Sequence, residues 1–334
     1  MQHRLTELID AVNRIRALDL ATVEERAWLE SNSGPCAGAF LPACPGIIAP
    51  TTRMNSREFA TACQRRLYLP IPELRLTDAV RGVCPILHAP GGRACTRSCD
   101  VRGAHLTTCP TGSGPTAVHD AVNAALAIYG FQQVFPPALV LFQRDAIRVA
   151  LLQRLGLPFD AQLDFPVPDI MTLGEETMIV DTRLTDPRCA TSLARGSGGA
   201  KGAGRAAENA TAAKLLAYAP AFAAGYLQAA DFHPFVVEHG GRLSKSASAL
   251  LHRLARLHEA KLTNLPPREK LGPAGNRFLT MLRRVISSTL QKASSRLVNA
   301  VHDRVIFTRA RDTDISDFHA LQASDIAEAV GGFG

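Results

Sequence analysis

The chain has 334 residues, 46% of them hydrophobic and only 6% aromatic, enough for two or three domains with aliphatic, alanine-rich cores. No stretch approaches the about 20 apolar residues of a membrane span, and Glu7 and Asp10 interrupt the N-terminal pattern where a signal peptide is apolar. The net charge of +7 is unevenly placed: residues 1–241 hold 22 basic and 22 acidic residues, 242–311 hold 15 and 3, and 312–334 hold five acidic residues and no basic one. A basic block of this kind predicts a polyanion partner such as nucleic acid, and excludes little else.

Residues 1–82 read as a helical N-terminal region without chemistry of its own. Leu5, Leu8, Ile9, Val12 and Ile15 recur at helical spacing. A second helix is predicted over Val23 to Leu29, then a Gly/Pro/Ala-rich loop from Ser31 to Pro50. Asn55 or Ser56 is placed to cap a third helix running to about Tyr68. Pro70 and Pro72 stop it.

Eight cysteines without a secretory signal favour reduced thiols or metal ligation over disulfides. Within residues 83–112, Cys95, Cys99, His105 and Cys109 follow the spacing C-x3-C-x5-H-x3-C. Thiolates and imidazole in a short loop suit tetrahedral Zn²⁺, and so few apolar residues leave the metal to supply the folding energy. Cys84 and His88 are alternatives for one of the assigned ligands.

The third segment, 117–241, reads as α/β. His119-Asp120 opens a helix to about Tyr129, ended by Gly130. Gln133 to Phe142 is the first predicted strand, broken by Pro136-Pro137. A helix and loop follow over 143–164. Val167–Leu173 and Thr177–Leu184 form a hairpin around Gly174-Glu175-Glu176. If the loop centres on Glu175, partner numbers sum to 350 and Asp169 faces Asp181. Opposed Cβ atoms lie about 4.5–5.5 Å apart, so the two carboxylates need a proton, a cation or a metal between them. Oxygen ligands so placed suit Mg²⁺ or Mn²⁺. Arg195 to Arg205 contains five glycines and reads as a flexible linker. Ala206 to Tyr218 is a helix ended by Pro220, with Lys214 and Tyr218 four apart on one face. Phe232 to His239 is the last strand, and Glu238 on it reads as structural.

Pro168-Asp169, Asp181 and the helical Lys214 and Tyr218 resemble the PD-(D/E)xK nuclease signature. More narrowly, they resemble the restriction-enzyme-like endonuclease domain of non-LTR retrotransposon (reverse transcriptase) proteins. The Cys/His segment resembles the CCHC zinc knuckle before that domain. Ala27-Trp28-Leu29-Glu30-Ser31, Gly38-Ala39-Phe40-Leu41 and Glu58-Phe59 resemble its polymerase-proximal linker. Arg183 stands where the simplest pattern has lysine, and no polymerase motif is present. The resemblance implies a restriction-endonuclease-like αβββαβ core, a small zinc knuckle and flanking helical segments. It implies a nuclear, metal-dependent DNA-nicking hydrolase in which Asp169 and Asp181 hold Mg²⁺ or Mn²⁺. Lys214 is then the catalytic lysine, with Lys201 the alternative, and Tyr218 supports it.

Residues 242–334 read as a basic helical tail with an acidic C-terminus. Two long amphipathic helices, Ser246 to Leu262 and Asn276 to about Val305, carry the positive block. The alternative function is an inactive relic that binds DNA or RNA through the knuckle and these helices. A third is a zinc-stabilised structural protein.

Overall fold

The computed structural model describes residues 12–41, 52–71, 74, 84, 95, 100–109, 114–174, 176–198 and 202–308, with side chains to residue 300. It is a mixed α/β protein. The chain divides into two compact units: Met1–Leu41 with Asn123–Ser287, and Pro42–Val122 with Ser288–Gly334.

The first unit is built on a four-stranded sheet in the order β1-β2-β3-β4: Val140–Leu141, Ile170–Thr172, Ile179–Thr185 and Phe232–Glu238. The first three strands are antiparallel. β4 runs parallel to β3, and the crossover between them carries the short α6, Ala190–Ala194, and α7, Arg205–Ala223. Ile170 pairs Val180 and Met171 pairs Ile179, so the hairpin sum of 350 holds. Gly174 takes φ +108° at the turn, a conformation that costs a residue without Cβ little. Pro234 has no N–H to give and sits on the edge strand β4, where the ladder tolerates it.

Side chains alternate across the sheet. On one face Met171, Ile179 and Phe232 join Tyr218 and Ala221 of α7, Ile147 and Leu151 of α5 (Arg144–Arg154), and Phe165 and Leu227 in one buried cluster. Val236 extends that face against Ala207 and Ala210. Phe235 and Val237 point the other way and are also buried. α8, Lys245–Thr263, packs along β4 and buries Leu250, Leu251, Leu254 and Ala255. α1, Val23–Ser31, is closed by a Thr22–Glu25 capping box and held by Arg242, whose guanidinium donates to the Glu30 carbonyl at 2.9 and 2.7 Å.

In the second unit α2, Ser56–Arg66, starts at an Asn55–Glu58 capping box, which selects Asn55 over Ser56 as the cap. Glu58 also accepts from Arg296 at 2.6 Å, and Thr61 donates to Asn299 at 3.0 Å. Both partners lie on α9, Pro273–Thr308. The short helix α3, Ala104–Thr108, packs with Ile71, Leu74 and Val298. α4, Gly114–Leu126, contributes residues to both units.

Four sequence expectations are corrected. Gly130 does not end a helix: α4 continues into a π-helical turn, Ala127–Phe131, and a short α turn, Gln132–Val134. The bare backbone of Gly130 admits Leu254 and Leu282, whose methyls stand 3.4 and 3.7 Å from where a Cβ would be. The first strand shrinks to Val140–Leu141, because Pro136 leaves the helix and Pro137 opens a 3-10 turn to Leu139. Pro220 lies inside α7, where the carbonyl it cannot bond belongs to the exposed Leu216. The glycine-rich stretch is not a plain linker in its described part: Gly198 abuts the Val23 backbone and Gly202 the Ser197 backbone, leaving no room for a Cβ.

Candidate metal centres

The hairpin ladder ends at Ile170–Val180, and Asp169, just beyond it, lies beside Asp181. The Asp169 amide donates to the Val180 carbonyl at 2.9 Å, and its carboxylate Oδ2 accepts from the Thr182 amide at 2.6 Å. That second bond turns the Asp169 carboxylate across the strand pair. Asp181 is 4% exposed. Its Oδ1 stands 2.6 Å from Lys214 Nζ, Oδ2 is buried, and the carboxylate lies against Asp169 and the Tyr218 hydroxyl. Burial pushes the Asp181 pKa up to about 6; Lys214 opposes the rise, and the neighbouring Asp169 adds to it.

Tyr218, one helical turn after Lys214, is fully buried. Its ring packs on Phe232 with centroids 4.3 Å apart and is flanked by Phe165 and Phe222 at 6.1 and 6.4 Å. This aromatic cluster fixes the turn of α7 that carries Lys214. Burial, and then the charge of Asp181, hold the phenol firmly protonated. Asp169, Asp181, Lys214 and Tyr218 therefore meet. Lys201, the alternative lysine, lies outside the described residues.

In the second unit Cys84, Cys95, His105 and Cys109 bring their ligand atoms within 4.8 Å of one another. Cys84 and Cys109 sulfurs are 3.7 Å apart, and Cys95 Sγ is 3.3 Å from His105 Nε2. A tetrahedron with Zn–S bonds of about 2.3 Å has S–S edges of about 3.8 Å, so these atoms surround a zinc-sized hole. The cluster is one that can hold a metal such as zinc. Three of the four ligands, Cys95, His105 and Cys109, are those assigned from the sequence. Cys84, first weighed as a replacement, takes the fourth position; Cys99 and His88 lie outside the described residues. The three cysteines are buried against Ile71, Leu106 and Val298, so the site belongs to a core.

Asp100 is a residue the sequence reading missed. Its Oδ1 accepts from the amides of Arg102 and Ala104 at 2.9 and 3.1 Å, and Oδ2 from that of His105 at 2.9 Å. It thereby fixes the start of α3, which delivers His105 and, at its end, Cys109. A short acidic residue before a glycine turn and a short helix was the signal.

His119 and Asp120 are paired at 3.0 Å within the second turn of α4, not at a helix start, because α4 begins at Gly114. Glu238 is structural: it is 1% exposed and accepts from the Ala207 amide at 3.2 Å at the start of α7. Burial pushes its pKa up to about 7. Arg183 is exposed on β3.

Much of the basic block already bonds inside the fold. Arg253 donates to Glu176 at 2.8 Å and contacts His233 at 3.0 Å, and Lys261 donates to the Gln133 carbonyl at 3.1 Å. Arg242 and Arg296 are engaged as described above. Arg268, Lys270 and Arg277, in and after the turn between α8 and α9, are exposed. No described helix is long and apolar enough to cross a membrane.

Comparison with known proteins adds no relative: no family model matches the sequence, and no curated protein or solved structure matches it.

Proposed function

We propose that the first unit is a metal-dependent DNA endonuclease of the PD-(D/E)xK type, and that the second carries a structural zinc. The observation that carries the first reading is the convergence of Asp169, Asp181 and Lys214 on one face of the hairpin. With α5 inserted between β1 and β2 and the short α6 before α7, the order α4, β1, β2, β3, α7, β4 supports a restriction-endonuclease-like αβββαβ core, although β1 is only two residues long.

The donor set fits a hard divalent cation. Both groups are carboxylates that lie close together, and Asp181 Oδ2 is a buried acceptor. Bound Mg²⁺ or Mn²⁺ would activate water and neutralise charge on the reacting phosphate. Asp169, oriented by the Thr182 amide, and Asp181 would hold it. Lys214 presents its ammonium at the same place, where it orients the attacking water or donates to a non-bridging phosphate oxygen. Tyr218 keeps α7 in register and supplies no proton at neutral pH. Arg183, exposed beyond Asp181 on the same face, contacts a neighbouring phosphate as a permanent cation.

Zinc fits the second set on donor chemistry and on spacing. Its ligands' burial favours a folding role over an exposed nucleic-acid contact. DNA, or RNA, would be met by exposed basic residues, and a nuclear location is part of the proposal.

Relaxation of supercoiled plasmid tests the reading. Wild type is expected to nick with Mg²⁺ or Mn²⁺, and Asp169→Ala, Asp181→Ala and Lys214→Ala to lose nicking while keeping the DNA affinity measured without divalent cation. Equal nicking by wild type and both aspartate variants overturns it. Retained DNA binding without nicking by wild type selects the relic reading, which the short β1 favours.

A further inference from the structure

We propose that Lys214 is also the resident counter-ion of the Asp169–Asp181 pair, and that by competing for Asp181 it sets how tightly the pair takes a divalent cation and makes that affinity depend on DNA. The inference rests on the nuclease reading for the place of the cation, but concerns binding rather than turnover.

Asp169 Oδ2 is held by the Thr182 amide at 2.6 Å, so this carboxylate is fixed by backbone. Asp181 Oδ1 is held by Lys214 at 2.6 Å, a side-chain partner on a flexible stem. Asp181 Oδ2 is buried, with Asp169 and the Tyr218 hydroxyl as neighbours. A buried carboxylate carries a desolvation cost that a cation reduces. A cation on Oδ2 stands only one carboxylate's width from the ammonium on Oδ1, roughly 4 to 5 Å, and in a site with little water the two charges repel strongly. Lys214 has somewhere to go, because its side chain keeps 20% of its surface exposed while that of Asp181 keeps 5%. It can swing from Asp181 to a phosphate oxygen when nucleic acid is present.

Two consequences follow from charge and linkage. Without the ammonium, the pair is a more negative site and takes the cation more tightly, by about ten-fold or more. With the ammonium, DNA draws Lys214 away and so tightens cation binding, and the cation tightens DNA binding by the same factor. A lysine that only activates water predicts neither the tighter binding without the ammonium nor a DNA effect that shrinks when the ammonium is removed.

The experiment is calorimetric titration of Mn²⁺ into the zinc-loaded full chain at pH 8, for wild type, Lys214→Met and Asp181→Asn, with and without a short DNA duplex. Met keeps the apolar stem and removes the charge; Lys214→Gln serves if Lys214→Met does not fold, as judged by circular dichroism. Lys214→Met is expected to bind Mn²⁺ about ten-fold more tightly than wild type. Duplex should tighten Mn²⁺ binding by wild type more than by the variant, and Asp181→Asn should lose the site. Asp181-dependent Mn²⁺ binding by wild type that is equal or weaker in Lys214→Met and Lys214→Gln overturns the inference and leaves the nuclease reading standing. No Asp181-dependent binding in any of the proteins overturns both. Binding by Lys214→Met where wild type shows none supports the inference in its strongest form.

Discussion

The carboxylate pair and the thiolate–imidazole cluster are both largely buried candidate sets of cation ligands, yet they are assembled differently. Asp181 sits on β3 and Asp169 immediately before β2, and the hairpin formed by these strands brings them together. Lys214 and Tyr218 follow from the 3.6-residue period of one helix. The thiolate–imidazole ligands come from isolated positions separated by ten, nine and three residues, with one five-residue helix among them. The first set is positioned by regular backbone. The second is positioned by Asp100, by packing on Ile71, Leu106 and Val298, and by any ion it holds, with little regular backbone to support it. Removing the cation should therefore cost the first unit its activity and the second its fold.

The largest expected effect tests the activity side. Asp181→Ala or Asp169→Ala should lower Mg²⁺-dependent plasmid nicking by at least about a hundred-fold, while each protein keeps its circular dichroism spectrum. If the variants unfold instead, the pair is a structural element and the contrast between the two sites disappears.

On the fold side, Cys84→Ser should lower zinc affinity by about ten- to a hundred-fold and melt the second unit at lower temperature, and Cys109→Ser should do the same. Cys99→Ser should leave one zinc per chain. Metal analysis with thermal unfolding decides it. Zinc retained by Cys84→Ser and lost by Cys99→Ser restores the ligand set expected from the sequence.

This difference in assembly also explains what was legible beforehand. The hairpin, its register, the face shared by Asp169 and Asp181, and the helix bearing Lys214 could be read because periods of two and 3.6 residues set them. The choice of Cys84 could not, since no local period ties it to Cys95, and long-range packing against Ile71 and Val298 decides it. The same limit applies to the first strand. Its apolar residues suit either element, and the prolines with the π turn leave only Val140 and Leu141 to pair. At Gly130 and Pro220 local breaker rules lost to packing and to an exposed last turn.

The basic block divides along similar lines. Arg242, Arg253, Lys261 and Arg296 are bonded within their own units, so the positive excess is not all available to a partner. Cutting the chain after Gly241 would also remove α8 from β4 and confound any binding measurement. Charge reversal at the exposed Arg268, Lys270 and Arg277 is the cleaner test. The triple substitution to Glu should reduce the slope of log K against log salt by about 0.9 for each phosphate no longer neutralised, by roughly two to three in all. Arg253→Gln should change stability more than slope. An unchanged slope in the triple variant removes this turn from the DNA interface.

The smallest effect concerns Glu238, which shares burial with Asp181 but has no cation to serve. Its pKa is pushed up to about 7, first by burial and also by Asp186, against the hydrogen bonds from Ser31 and Ala207 and the charge of Arg242. A carboxyl raised in the folded state binds its proton more tightly there than in the unfolded chain. Its contribution is therefore complete below the unfolded value near 4.5 and is lost as pH rises through about 7. Glu238→Gln keeps the acceptor for the Ala207 amide and removes the charge. The variant should match wild type at pH 4 and be more stable at pH 8, by up to about 3 kcal/mol if the whole shift is felt. Chemical denaturation of both proteins at the two pH values measures this. The gain should appear without any change in Mn²⁺ affinity, because Glu238 acts on the first turn of α7 and Lys214 is two turns further on. Equal stability at pH 8 would mean that the ionised carboxylate is compensated by the helix start it caps. A changed Mn²⁺ affinity would mean that the start of α7 and the carboxylate pair respond together.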